Sequence, residues 1–392
     1  MLIRGAILGA ALAAVVALTA CTAAPPHAGL PTATPPMAPQ PTAGPGAPDA
    51  PADGPLERGV ARWWPVAWAE LPGLQDDRLL EAWPALSAGC ARPPRAWVAL
   101  CARLAAEPAL DETAAQAFLR AHLQPFRVES ADGRDEGLIT GYYEPQLQAR
   151  RQPDAGHRVP LYALPEVLRD RREPWFTRRD IDRNVAAQRA LRGLEIAWLA
   201  DPLDALVLQI QGSGRLDVIE RDGSLSRVRL AFAGHNGQAY RSVGRWLIQR
   251  GELAPDAASW PAIKAWARAH AAQVDEMLWA NPRVVFFREE PLPDPALGPR
   301  GAMGVPLTPQ RSIAVDPRSI PYGSWVWIDT TEPLSQTPLR RLVAAQDTGS
   351  AITGAVRADY FWGWGDSAEA QAGRMKQPLR LWVLWPRGVA PG

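Results

Sequence analysis

Two stretches near the C-terminus, SIAVDPRSIPYGSWVWID (Ser312 to Asp329) and PLRLWVLW (Pro378 to Trp385), alternate apolar and polar residues between Gly and Pro corners. A period of two matches the side-chain alternation of a strand and not the turn of a helix, so this third of the chain is committed to sheet. The one helical candidate within it, around Ser367 to Met375, is short. Many short strands joined at tight corners predict a small closed barrel, which leaves no sheet edge unpaired. Upstream, Arg215 to Phe232 reads RLDVIERDGSLSRVRLAF, a hairpin turning at Asp222-Gly223 whose alternation predicts one buried face. Leu79, Leu80, Trp83 and Leu86 recur at helical spacing, as do Phe118, Leu119 and Leu123 behind a cap at Asp111. Leu56 to Leu123 therefore reads as helical, ahead of a first strand in EGLITGYYEP, Glu136 to Pro145. No internal repeat is visible.

The N-terminus begins Met1-Leu2-Ile3-Arg4, continues as an apolar run from Gly5 to Leu18, and reaches Leu18-Thr19-Ala20-Cys21. A charged start, a short apolar region and a small-residue cleavage site describe a secretory signal over residues 1–20 and not a spanning helix, which needs about 20 apolar residues. A cysteine directly after the cleavage site makes it a lipoprotein signal, with acylated Cys21 as the membrane anchor. Thr22 in place of Asp resembles lipoproteins sorted to the outer membrane, so the expected location is that membrane, facing the periplasm. Residues 21–55 are almost all Pro, Ala, Gly and Thr, too poor in apolar surface to fold, and read as an extended tether.

Cys90 and Cys101 remain as an even pair around a Pro-Pro loop, which in an oxidising compartment reads as a disulfide. No CxxC or His-rich spacing points to a metal, and His235, in AFAGHNG, reads as a surface-loop histidine. A net charge of +1 offers no electrostatic footprint for nucleic acid. Seventeen tryptophans could stack on sugar rings. Trp260, Trp266 and Trp279, however, lie in or beside a helical pattern of Ile263, Ala267, Ala271, Val274 and Leu278 and are expected in the core.

The run AAQDTGSAITGAVRADYFWGWG, Ala344 to Gly365, sets Asp347 and Asp359 among turn formers and aromatics. Cleaving a glycosidic bond calls for a carboxyl that is still protonated near neutral pH, and apolar neighbours raise a carboxyl pKa by disfavouring its charge. Asp359, followed by Tyr360, Phe361, Trp362 and Trp364, is the better candidate. Four other stretches combine amides and hydroxyls with glycines, a composition suited to sugar hydroxyl and N-acetyl groups: GYYEP (from Gly141), QIQGSG (from Gln209), GHNGQAYRSVGRWL (from Gly234) and NPRVVFF (from Asn281). The candidate glycan contacts are Tyr142, Gln211, Gly212, Ser213 and Asn236, with Asp347.

Together and in this order, with DPLDALVLQIQGSG (Asp201 to Gly214) and GAMGVPLTPQRSIAVD (Gly301 to Asp316), these motifs resemble the membrane-bound lytic murein transglycosylase A family from about Phe126 to Trp385. The resemblance implies a mainly β fold with a helical N-terminal part: a double-psi β-barrel with a second β-rich domain inserted and a glycan groove between them. On that plan residues 56–147 hold the N-terminal helices and the first part of the barrel, 148–287 the insert, and 288–392 the rest of the barrel. The family's catalytic aspartate precedes Gly-x-Gly and falls here on Asp359, in Arg357-Ala358-Asp359-Tyr360-Phe361-Trp362-Gly363-Trp364-Gly365. Asp347 falls on a turn that orients the barrel loop or binds sugar. The sequence departs from the pattern in Ala358, where an aromatic is common. It also places Arg357 two residues from Asp359, where a cation lowers the carboxyl pKa and opposes an acid role.

The implied reaction cleaves the β-1,4 bond between N-acetylmuramic acid and N-acetylglucosamine in peptidoglycan without water or cofactor, leaving 1,6-anhydromuramoyl ends. The implied partners are glycan strands, the membrane through its lipid, and proteins of cell-wall synthesis. Two other readings stand beside it. A hydrolytic muramidase would use Asp347 or Asp316 as a second carboxylate. An expansin-like module would bind cell wall without cleaving it.

Overall fold

The computed structural model describes residues 54–107, 111–255 and 257–391. The signal, Cys21 and nearly all of the tether lie outside the described residues. The chain opens with two strands, β1 (Leu56–Arg58) and β2 (Ala61–Pro65), followed by α1 (Trp83–Gly89), α2 (Val98–Ala106) and α3 (Glu112–His122). These lead into β3 (Leu123–Ser130) and β4 (Gly137–Glu144). The expectation of an all-helical start is therefore corrected: Trp63 of β2 pairs with Val128 of β3, and sheet pairing at the barrel flank overrides local pattern. The Leu79–Ala82 turn is a short 3-10 segment running into α1. Asp111 does cap α3, accepting from the Ala114 N–H at 2.7 Å.

After β4 the chain enters a second layer: β5 (Gln146–Arg150), β6 (Val159–Tyr162), α4 (Arg178–Arg183), α5 (Val185–Leu191), β7 (Glu195–Leu199) and α6 (Pro202–Gln211). It continues through β8 (Ser213–Ile219), β9 (Leu225–His235), α7 (Val243–Gln249), α8 (Trp260–Ala269), α9 (Val274–Trp279) and β10 (Val285–Pro291). It returns as β11 (Ser312–Val315), β12 (Trp325–Thr331), β13 (Pro338–Asp347), β14 (Arg357–Trp364), α10 (Gly365–Ala372) and β15 (Lys376–Pro386).

The first sheet runs β1-β2-β3-β15-β12-β13-β11-β14-β4, and a further pairing of β15 with β4 closes six of its strands into a ring. This is the barrel that the period-two stretches predict. β4 ends at Glu144 and β11 begins at Ser312, so the second layer is inserted between two strands of one barrel. Two pairings in the ring are parallel, β11 with β13 and β14 with β4. Its core is packed by buried residues that include Trp325, Trp327, Val343, Tyr360 and Leu381.

The second sheet runs β10-β9-β8-β5-β7-β6, and a bridge between Ala163 and Phe287 brings its two edges together. The β8–β9 hairpin turns at Asp222-Gly223, with Gly223 in the left-handed region at φ 84°. The expectation of a single buried face is corrected. Leu216 and Val218 enter the core of this sheet, while Arg215 and Asp217 on the other face are buried too, covered by ion pairs. Of the three tryptophans expected in the core, Trp266 is buried. Trp260 is half-buried between the barrel core and the helical core of α7 and α8, and the indole of Trp279 donates to Asp182 at 2.6 Å.

The seam between the layers is polar. Glu144, at the end of β4, is fully buried and accepts from Arg215 Nε at 2.7 Å and Arg229 Nε at 2.6 Å. Arg215 also donates to the carbonyls of Pro295 and Leu297 and lies 3.8 Å over the ring of Trp364. One carboxylate thus ties β4 and β14 of the barrel to β8, β9 and the returning chain. Elsewhere, Cys90 and Cys101 are bonded across a Cα separation of 5.3 Å, joining the end of α1 to α2.

Candidate active site

Register places the site. Lys376 of β15 pairs with Thr140 of β4, Thr140 with Asp359 of β14, Asp359 with Ala314 of β11, and Ala314 with Asp347 of β13. Residues paired directly across neighbouring strands share a sheet face, so these five form one row across the barrel wall. All five line a cleft of about 640 Å³. The facing wall comes from the inserted layer: Tyr240 and Ser242 just ahead of α7 and Arg245 within it, then Ser259 capping α8 and Trp260 and Ile263 within it.

The Asp359 carboxyl accepts from Thr140 Oγ1 at 2.6 Å, and Thr140 Oγ1 in turn accepts from Arg357 Nη2 at 2.9 Å. Burial raises the Asp359 pKa to about 6; the Thr140 hydrogen bond and the Arg357 charge pull it down, and Asp347 adds to the rise. The cation therefore lowers the Asp359 pKa, and burial outweighs it. Asp347 is also raised by burial, against hydrogen bonds from the Ala302 and Thr348 N–H groups and from Tyr142. Its two oxygens are held at 2.9 Å by Ala302 N and 3.0 Å by the Tyr142 hydroxyl. Beside it, Gln346 is buried and spans from Ser312 Oγ to the Ala85 carbonyl, fixing the end of β13.

The other sequence candidates separate. Tyr142 and Gln211 line the cleft, with Gln211 Oε1 accepting from Tyr143 N at 3.1 Å. Gly212, at φ 82°, ends α6, and Ser213 starts β8 opposite Ala231; neither lines the cleft. Asn236 is 1% exposed, and its amide is spent on the Phe176 and Pro282 carbonyls and the Val284 N–H, at 2.8, 2.9 and 3.0 Å. That placement corrects its expected glycan contact: it is a brace for the loop after β9. Asp316 is engaged by Arg318 and the Gly354 N–H, which lower its pKa to about 2, and it lies outside the cleft lining. Sequence reasoning misses Thr140 and Arg245, although both lie inside stretches that it singles out. Among the described residues, no group of His, Cys, Asp or Glu could hold a metal, and no helix is long and apolar enough to cross a membrane.

Residues 138–288 match the MltA specific insert domain, and residues 311–385 match the 3D domain. The chain is 32% identical over 293 residues to the membrane-bound lytic murein transglycosylase A of Vibrio cholerae, covering 70% of this chain and 74% of that one. Among solved structures, the lytic transglycosylase LtgG of Burkholderia pseudomallei is 47% identical with a TM-score of 0.58, covering 87% of this chain and 100% of that one. Escherichia coli MltA with bound chitohexaose is 27% identical with a TM-score of 0.63, covering 87% of this chain and 95% of that one. By these matches the chain belongs to the membrane-bound lytic murein transglycosylase A family.

Proposed function

We propose that this protein is a peptidoglycan lytic transglycosylase that cleaves the bond between N-acetylmuramic acid and N-acetylglucosamine and leaves a 1,6-anhydromuramoyl end. The observation that carries the reading is a carboxyl held near neutrality, Asp359, at the centre of a cleft between two layers. Protonated Asp359 gives its proton to the glycosidic oxygen as the bond from that oxygen to the muramoyl C1 breaks. The resulting carboxylate takes the proton of the muramoyl C6 hydroxyl while that oxygen bonds to C1. Atoms balance without water, because the nucleophile is tethered to the reacting sugar. Asp347, fixed by Tyr142 and Ala302, shapes the wall beside the reacting bond. In this reading the six-stranded ring is a double-psi barrel, with residues 56–147 holding the N-terminal helices and the first part of the barrel domain, 148–287 the insert and 288–392 the rest of the barrel.

Mass spectrometry of muropeptides released by the purified protein tests the proposal. Anhydro ends support it, reducing ends move the function to a hydrolase, and binding without release moves it to a wall-binding module. The pH profile adds a second check. Asp359 must start protonated, so the rate falls as pH rises through about 6. Arg357→Gln removes the charge that lowers this pKa, so the alkaline limb is expected to move to higher pH. A limb that stays in place or moves to lower pH would remove Asp359 from the role of acid.

The anchor belongs to the same proposal: Cys21, in Leu-Thr-Ala-Cys, carries lipid and holds the protein at the outer membrane, facing the periplasm. Cys21→Ala is expected to lose lipid labelling and to leave the processed outer-membrane fraction. A variant that still fractionates there would place the anchor elsewhere.

A further inference from the structure

The row Lys376–Thr140–Asp359–Ala314–Asp347 ends on a cation that the reaction above does not use. Lys376 stands two strands from Asp359, about 10 Å between Cα atoms at the usual strand spacing. Its side chain is on the cleft face, and the residue is exposed. Among the described residues its ammonium has no hydrogen-bond or ion-pair partner, and its backbone N–H donates to the Gln377 side chain. Arg357, and not Lys376, is the cation that Asp359 feels. Across the cleft, the exposed Arg245 side chain is likewise without a partner among the described residues. Of the four charged residues that line the cleft, Asp347 and Asp359 are half-buried, whereas Lys376 and Arg245 are exposed and so lie open to a ligand.

We infer that Lys376 is a specificity-determining residue whose ammonium takes a carboxylate borne by the muramoyl sugar, so that the cleft selects an anionic glycan over a neutral one. The inference rests on the glycan-cleaving reading of the same cleft. That carboxylate has two sources in peptidoglycan: the lactyl group itself where the strand is bare, or the peptide stem where the lactyl carboxyl is amidated.

The test measures binding, by NMR titration, of the disaccharide N-acetylglucosaminyl-N-acetylmuramic acid, bare and carrying a stem, with the neutral N-acetylglucosamine dimer as reference. The anionic probes lack the bond proposed to be cleaved, so the measurement does not depend on turnover. Lys376→Met is expected to raise Kd roughly fivefold for an anionic probe and leave the neutral dimer unchanged, and Lys376→Arg is expected to restore binding. A response to the bare probe alone assigns the lactyl carboxylate; a response to the stem-bearing probe alone assigns the stem. Equal loss for the neutral dimer, or no loss for either anionic probe, overturns the inference. Failure of the function itself reads out separately, as wild-type protein that releases no anhydro ends from cell wall.

Discussion

Asp359→Asn is expected to give a folded protein that still binds glycan and cleaves it about 10⁴-fold more slowly, the upper end for loss of general acid–base catalysis. The amide keeps the shape and can still accept from Thr140, but it has no proton of suitable acidity to give and cannot take one back. Both halves of the reaction are lost together. Folding stability moves the other way. A carboxyl whose pKa is raised by folding stabilises the fold fully below its unfolded pKa and loses that contribution as pH rises through the folded value, here about 6. At pH 7 the wild type carries that burden and the amide does not, so the variant's Tm is expected to equal or exceed the wild type's. Asp347→Asn is the control. Its loss should be smaller if Asp347 shapes the wall, whereas two equally inactive, well-folded variants would indicate a two-carboxylate hydrolase. Near-normal cleavage by folded Asp359→Asn would end the proposed mechanism.

The barrel is legible in the sequence because its strands carry their pattern locally. Trp325 to Thr331 and Lys376 to Pro386 alternate or run apolar between corners; in the second sheet the β8–β9 hairpin is legible too, from a turn at Asp222-Gly223 that needs a glycine at positive φ. β1 and β2 are not legible: they are short, β1 pairs only with β2, and β2 is held as a strand by β3, a partner far along the chain. Burial of both faces of β8 is hidden for a related reason. Its polar face, Arg215 and Asp217, alternates as a solvated face would; Asp217 meets Arg227 across the hairpin, but Arg215 is covered by Glu144, a partner that sequence order does not bring near.

The site divides in the same way. Asp359 is recognisable from its motif and its aromatic followers, yet its neighbours on the row come from four other strands, and register is a property of the assembled sheet. The stretch from Gly234 to Leu247 does border the cleft, but through a different residue from the one its composition suggests. Asn236 has the side chain of a sugar ligand and closes its hydrogen bonds largely on backbone, while Arg245, a residue type common on any helix surface, faces the cleft. The balance at Asp359 also needs the structure: Arg357 can be read from spacing, but the burial that outweighs it cannot.

Glu144→Ala is expected to destabilise the fold by about 4 kcal/mol, read as a shift in the denaturant midpoint at pH 7. The carboxylate is fully buried between two nearly buried arginines, so its removal leaves two like charges out of water with no counter-charge. The loss should not stay local. Arg215 and Arg229 also hold the Leu297 carbonyl of the returning chain, and Arg215 packs on Trp364, five residues along β14 from Asp359. Because the barrel carries Asp359 and the inserted layer carries the facing wall, glycan binding by the folded fraction should weaken as well. If Glu144→Ala proves too unstable to isolate, the triple replacement Glu144→Leu, Arg215→Met, Arg229→Met separates the explanations. Removing all three charges relieves the repulsion but leaves the Pro295 and Leu297 carbonyls without their donors, so stability should recover in part and not fully. A Glu144→Ala midpoint within about 1 kcal/mol of wild type would mean that water reaches the seam and that apolar packing alone holds the two layers together.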